Sequence, residues 1–238
     1  MKKQIVVIGL GRFGVSVART LYELGHDVLA IDTDEKTVQS VATEITHAIQ
    51  ADGTNENVLR ELGISNFDIA IVAIGAAVEA SVLTTILLKK LGVPYVIARA
   101  DNELHGSILE KIGADKVVYP EQEMGARIAH VVTLADVSYY MPLVPGYGVA
   151  RMTAPDYLVG ERLPDLGFGP KGKWEVAVVL IQREKEIIVT PSQQEVIRVG
   201  DVLVVAGNND NLEKLLLAAK NHAYEEVHNG KKPDNSEH

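Results

Sequence analysis

Residues 4–14, QIVVIGLGRFG, constrain this chain more than any other stretch. Ile5, Val6, Val7 and Ile8 form a short β-branched run, the pattern of a strand buried on both faces. Gly9, Gly11 and Gly14 follow at G-x-G-x-x-G spacing, with Leu10, Arg12 and Phe13 between them, and residues 15–24 read as a helix. In a strand–turn–helix unit of this kind the first glycine makes the tight turn and the second lets a phosphate approach the backbone. The third lets helix and strand pack closely, with phosphates at the positive helix N-terminus. The glycine spacing alone is weakly specific; the strand before it and the helix after it supply the context. Arg12 is the unusual member, because a dinucleotide fold requires no cation in this loop.

Strand-like and helix-like segments then alternate to about residue 120. Strands are expected at 27–31, 46–50, 68–74, 95–98 and 116–119, and helices at 35–42, 55–62, 77–91 and 103–112. Gly25, Gly63, Gly92 and Gly113 stand where each of four helices should end. This alternation implies right-handed βαβ crossovers, hence an α/β domain with a Rossmann-like parallel six-stranded sheet. After Pro120, residues 121–135 read as one more helix. Two readings stay open for it: an arm crossing onto a partner subunit, or a helix packed on its own sheet.

Residues 137–150, VSYYMPLVPGYGVA, are uncharged and carry two prolines and two glycines, which suits a connection. The PGYG at 145–148 resembles a potassium-selectivity filter, but no membrane span flanks it, so a turn entering a strand is expected. Candidate strands at 149–153, 175–183, 187–190 and 202–206, a turn at 196–201 and a closing helix at 211–219 make a smaller α+β C-terminal domain. The expected division is 1–135 for the nucleotide-binding domain with its crossover helix, 136–145 for a linker and 146–219 for the second domain. A polar, disordered tail is expected at 220–238.

Composition narrows the function. A formal charge of −9 argues against non-specific nucleic-acid binding, which depends on clustered Lys and Arg. The absence of cysteine excludes disulfides, thiolate metal sites and cysteine nucleophiles. No uncharged apolar run approaches the ~20 residues that cross a bilayer, and the first strand begins too early to leave room for a signal peptide. A cytoplasmic protein is expected.

Candidate site residues gather at expected strand ends. Asp32 stands about 20 residues beyond the glycine loop, where a carboxylate accepts hydrogen bonds from ribose hydroxyls and repels a 2′-phosphate. Asp34 is read as the cap of the next helix. Asp52, Gly53 and Thr54 lie beyond the third strand and fit an adenosine pocket, although a structural role beside a helix capped by Asn55 fits equally. Ala73, Ile74 and Gly75 end the fourth strand, where small and apolar residues can flank a base or sugar. Arg99 ends the fifth strand and suits phosphate oxygens. Glu121 reads from the residues alone as a surface acid at a helix N-terminus, or else as part of a metal-bridged phosphate site; the first is favoured. No Ser-His-Asp set or metal-binding His pair stands at recognisable spacing. His26, His47, His105 and His130 are scattered, and the second domain lacks the acid/base group of an NAD-dependent oxidoreductase.

The segments VIGLGRFG (7–14), VLAIDTDE (28–35), NFDIAIVAIGA (66–76), LLKKLGVPYVIARA (87–100), KIGADKVVYPEQEMG (111–125) and VGDVLVVAG (199–207), in that order, resemble the Ktr/Trk-type regulatory subunits of bacterial potassium transport, which are RCK-domain proteins. The resemblance spans about residues 3–219. It implies a TrkA-N-type and a TrkA-C-type domain in a homo-oligomer, dimers building an octameric ring. That ring docks on a membrane-embedded potassium-translocating subunit at the inner face of the membrane. It implies binding of ATP or ADP, whose exchange reshapes the ring and gates transport, with NAD(H) as the alternative ligand in the Trk branch. Gly9, Gly11, Arg12, Phe13, Gly14, Asp32, Asp34, Asp52, Gly53, Thr54, Ala73, Ile74, Gly75, Arg99 and Glu121 would form the nucleotide site. The resemblance further implies that Arg12 reaches the terminal phosphate, in its own or a neighbouring subunit. It also makes Glu121 part of a site for a divalent cation such as Mg²⁺, reversing the reading from the residues alone. Some relatives bind cyclic di-AMP in the C-terminal domain; the corresponding segments are 158–162 and 190–191, and residues 165–174 depart from the Ktr-type pattern. The remaining alternatives are an NAD(H)-binding regulator of another cation transporter and an NAD-dependent oxidoreductase.

Overall fold

A computed structural model of the chain describes residues 2–133, 137–169, 172–215 and 217–218. The chain divides into two compact units between Glu123 and Met124. The tail expected at 220–238 lies outside the described residues.

The N-terminal unit alternates β1 (Gln4–Ile8), α1 (Arg12–Glu23), β2 (Asp27–Asp32), α2 (Glu35–Val41), β3 (His47–Gln50), α3 (Glu56–Glu61), β4 (Ile69–Val72), α4 (Val78–Lys90), β5 (Tyr95–Arg99), α5 (Glu103–Lys111) and β6 (Lys116–Val118). All six strands are parallel, in the order β3-β2-β1-β4-β5-β6. The β-branched runs behave as period-two elements buried on both faces. Val6, Ile8, Leu29, Ile31, Ala70 and Val72 point to one side, where Leu59, Leu88 and Leu109 of α3, α4 and α5 cover them. Ile5, Val7, Val28, Ala30, Ile71 and Ala73 point to the other, against Ala18 of α1 and Val38 and Val41 of α2. Gly25, Gly63, Gly92 and Gly113 each follow a helix in the left-handed region, with φ from 67° to 101°. A 3-10 turn at Ile64–Asn66, absent from the sequence reading, leads into β4.

Helix α6 (Pro120–Thr133) follows β6, and the division between the units falls inside it, ahead of the expected boundary at 135. Met124, Ile128 and Val132, four residues apart, are exposed along it, whereas Val131 packs against the C-terminal core.

The C-terminal unit is an antiparallel sheet of β7 (Val137–Val144), β8 (Tyr147–Thr153), β9 (Ala177–Arg183), β10 (Glu186–Val189) and β11 (Val202–Asn208), ordered β10-β9-β11-β8-β7. Helical residues 209–215 and 217–218 follow. Strand β7 corrects the expected linker at 136–145. Its uncharged residues alternate: Tyr140 is buried while Tyr139 and Met141 are exposed, and a turn at Pro145-Gly146 joins it to β8. Pro142 read as a strand breaker, yet β7 is an edge strand, where proline is tolerated because one side of the strand needs no ladder partner. The segment expected to turn at 196–201 carries no strand, only one bridge between Arg162 and Val196. Tyr140, Met152, Leu158, Trp174, Ile181, Leu203 and Leu215 are among the residues of this unit's core.

Candidate functional site

Strands β1 and β4 are neighbours, but the helix following β1 packs on one face of the sheet and the helix following β4 on the other. At such a switch point a crevice opens beyond the carboxyl ends of the strands. In this chain it is a cavity of about 370 Å³. Gly9 and Gly11 line it from the β1–α1 loop, Asp32 and Thr33 from the end of β2, and Asp52, Gly53 and Thr54 from the segment after β3. Ala73, Ile74 and Gly75 line it beyond β4, Ala77 and Ala80 at the start of α4, and Arg99 at the end of β5.

The glycine loop divides its tasks as its spacing suggests. Gly11 precedes α1 without any side-chain cap, and a Cβ at that position would project into open space. The first-turn N–H groups of α1 are therefore left to an incoming anion. A Cβ on Gly14 would collide with the carbonyl oxygen of Gly9 and press on Ala73, so only glycine lets α1 approach the loop this closely.

Asp32 is held from two sides. Its Oδ2 accepts a hydrogen bond from the Leu10 N–H at 2.5 Å and its Oδ1 one from the Asp34 N–H at 2.9 Å. The first of these bonds ties the end of β2 to the glycine loop. Asp34 itself caps α2, accepting from Thr37 N and Oγ1. Asp52 Oδ1 accepts from Thr54 Oγ1 at 2.7 Å and Thr54 N at 2.8 Å, and these two bonds hold its carboxyl below the usual carboxylate range. Thr84 Oγ1, buried on α4, donates to the Gly53 carbonyl at 3.2 Å and fixes the segment after β3.

Arg99 is the one cation lining the cavity among the described residues. Its guanidinium lies where a side chain on residue 75 would stand, which Gly75 alone permits. Arg99 Nη2 donates to Glu121 Oε1 at 2.6 Å, and Arg99 Nε is buried without a hydrogen-bond partner.

The candidate residues thus fall into two sets. Gly9, Gly11, Asp32, Asp52, Gly53, Thr54, Ala73, Ile74, Gly75 and Arg99 share the cavity wall; Arg12, Phe13, Gly14, Asp34 and Glu121 do not line it. Phe13 packs toward the core under α1. Glu121 meets the site only through Arg99. Arg12 opens α1 and lines a separate groove with Leu10, Ser16, Arg19 and Thr37. Thr33, Ala77 and Ala80 escaped the sequence reading, although the small residues of GAAVEA after β4 are a readable sign of a wall that a ligand approaches closely.

His105 is buried on α5. Its Nδ1 accepts from the Asp101 N–H at 3.2 Å, its Nε2 has no partner, and burial holds the imidazole below its ordinary value against the pull of Asp101. In the C-terminal unit a second cavity of about 470 Å³ is lined by Leu163, Pro164, Phe168, Pro191 and Gln193, among others. Arg162, from the segment expected to face cyclic di-AMP, does not line it; its guanidinium donates to Asp165 and Gln194. Among the described residues, no helix is long and apolar enough to cross a membrane.

The TrkA-N domain family matches residues 5–120 and the TrkA-C domain family residues 149–219. Ktr system potassium uptake protein C of Bacillus subtilis is 42% identical over 214 residues, covering 90% of this chain and 96% of the relative. Ktr system potassium uptake protein A of the same organism is 40% identical over 212 residues, covering 89% and 95%. Protein A of Vibrio alginolyticus is 37% identical over 215 residues, covering 90% and 96%. Among solved structures, the GsuK RCK domain superposes with a TM-score of 0.61 at 16% identity, over 91% of this chain and 47% of the other. A GsuK channel bound to NAD gives 0.61 at 15%, over 91% and 40%. The chain thus spans about half or less of those structures' length, and at such identities the likeness is one of fold.

Proposed function

The chain belongs to the family of Ktr-system potassium uptake proteins with a TrkA-N and a TrkA-C domain, and from that premise we propose that it is a nucleotide-sensing regulatory subunit of potassium uptake, switched by ATP and ADP. The observation that carries this reading is the cavity at the sheet's switch point, where an uncapped helix N-terminus and Arg99 stand on the same wall as Asp32. Asp32 would take the ribose hydroxyls, and the α1 backbone and Arg99 the phosphates. NAD(H) is the alternative ligand, since Asp32 serves an adenosine ribose in either.

Arg12 lines a groove other than the cavity of its own chain. That supports a role in trans: Arg12 of one copy meets the terminal phosphate of a nucleotide held by the next. A γ-phosphate present in ATP and missing from ADP then supplies the differential affinity a switch requires. For a divalent cation such as Mg²⁺, Glu121 is the candidate ligand. Among the described residues no three His, Asp or Glu side chains converge as a metal site, so phosphate oxygens and water would complete the coordination. The exposed row Met124, Ile128 and Val132 on α6 supports association of copies, with dimers assembling into an octameric ring. The proposed partner is a membrane-embedded potassium-translocating subunit, which would hold the ring at the inner face of the membrane.

Calorimetric titration with ATP, ADP, NADH and cyclic di-AMP tests the reading. ATP and ADP should bind at the TrkA-N domain, and Arg12→Ala should erase the difference between them while sparing ADP. Unchanged discrimination in Arg12→Ala removes the sensing role of that residue. Tighter binding of NADH than of either adenine nucleotide favours an NAD(H)-responsive regulator instead.

A further inference from the structure

We propose that Glu121 is an internal stand-in for the ligand's phosphate, holding Arg99 in the nucleotide-free protein until a divalent cation draws it away. The proposal rests on a nucleotide occupying the cavity at the sheet's switch point.

Three observations converge on the pair. Arg99 is the cavity's cation, and its guanidinium is fixed in the wall by the space that Gly75 leaves. The Arg99 side chain is 18% exposed, whereas that of Glu121, the second residue of α6, is 65% exposed. Yet this exposed acid reaches in to accept a 2.6 Å charge-assisted hydrogen bond from Nη2. Meanwhile Nε of the same guanidinium is buried without a partner, so the arginine's donor set is only partly used. A guanidinium presents a fork of donors that fits two oxygens of one anion. Glu121 occupies one tine and leaves the rest waiting.

A phosphate arriving without a cation therefore finds Arg99 already neutralised and a carboxylate beside it. To take the full donor fork of Arg99 it must displace Glu121 from Nη2, and it bears the repulsion of the carboxylate wherever it sits. A divalent cation reverses both effects. Glu121 would then serve as a ligand to the cation, and its Nη2 partner on Arg99 would be free for the nucleotide. Because Glu121 sits in the first turn of α6, the exchange of partners reports ligand and cation together to that helix.

The test is titration of the full chain with ADP, in EDTA and in Mg²⁺, using wild type, Glu121→Gln and Glu121→Asp. Glu121→Asp keeps the negative charge but withdraws the carboxylate by one methylene from Arg99. In EDTA both variants should bind ADP about tenfold more tightly than wild type, and Glu121→Gln should lose the gain that wild type shows on adding Mg²⁺. A gain in Glu121→Gln alone means simple repulsion and overturns the stand-in, as does a gain in neither. If no form binds ADP or ATP in either buffer, the nucleotide reading itself fails, and this proposal with it.

Discussion

Arg183 holds Asp201 by two hydrogen bonds, Nε to Oδ1 at 2.9 Å and Nη2 to Oδ2 at 2.8 Å, and the aspartate side chain has no exposure. Glu195 and the Val196 carbonyl take further donors of the same guanidinium, and the Arg198 N–H donates to Asp201 Oδ2. Burial raises the Asp201 carboxyl, but the bonds from Arg183 and Arg198 outweigh it, and the net shift is downward. Removing one partner of a buried pair costs about 3 kcal/mol or more. Asp201→Asn should lower the urea midpoint of the C-terminal unit accordingly, read by the fluorescence of Trp174, the single tryptophan, which lies in the same core. The carboxyl's lowered value makes its contribution complete above its ordinary value of 3.8 and lost as pH falls through the native one. The acid limb of the wild-type stability curve should flatten in the variant.

Gly14→Ala should damage fold and binding together. The new Cβ meets the Gly9 carbonyl, a backbone atom that cannot swing aside. Forcing α1 off the loop should cost about 1–3 kcal/mol, seen as a lower melting temperature of the N-terminal unit, with nucleotide binding lost in calorimetry.

His105 sets a mild pH dependence. Burial keeps its native value below the ordinary 6.5, so the unfolded chain binds a proton more readily than the folded one. Stability of the N-terminal unit is therefore full above 6.5 and declines as pH falls from there toward the native value. His105→Asn keeps an acceptor for the Asp101 N–H and should remove most of that slope in melting temperatures recorded across the same range.

Asp32→Asn removes the charge and keeps one of its two backbone bonds. The amide oxygen can still accept from the Leu10 N–H, but the amide NH2 then faces the Asp34 N–H and that bond is lost, so the melting temperature should fall by a few degrees. Loss of the charge-assisted bonds to ribose should weaken ATP and ADP binding by about tenfold, and loss of repulsion should admit a 2′-phosphate. Titration with ADP and with NADPH checks both halves.

The sheet of the N-terminal unit was legible because β1, β2 and β4 are buried on both faces and so carry continuous apolar runs. Its helix ends were marked by Gly25, Gly63, Gly92 and Gly113. Strand β7 was hidden because Pro142 reads as a breaker in any sequence window, and only its place at the sheet edge makes it permissible. At the site, residues announced by strand ends reached the cavity wall. The Arg99–Glu121 bond could not be read, since it joins residues 22 apart on two different elements through side-chain reach alone. Nor could the two backbone donors on Asp32, which depend on the loop's path. Arg12 shows the opposite limit: its chemistry was plain, but its direction was set by its place at the start of α1.

Each hydrophobic cluster draws its residues from one unit only, the two flanking the parallel sheet from the first and the one containing Trp174 from the second. Cooperativity need not extend across the whole chain, and a single melting point need not describe it. Far-ultraviolet circular dichroism averages over both units, whereas tryptophan emission follows the second alone. The two probes should give midpoints that do not coincide, and a nucleotide added to the sample should shift the first curve more than the second.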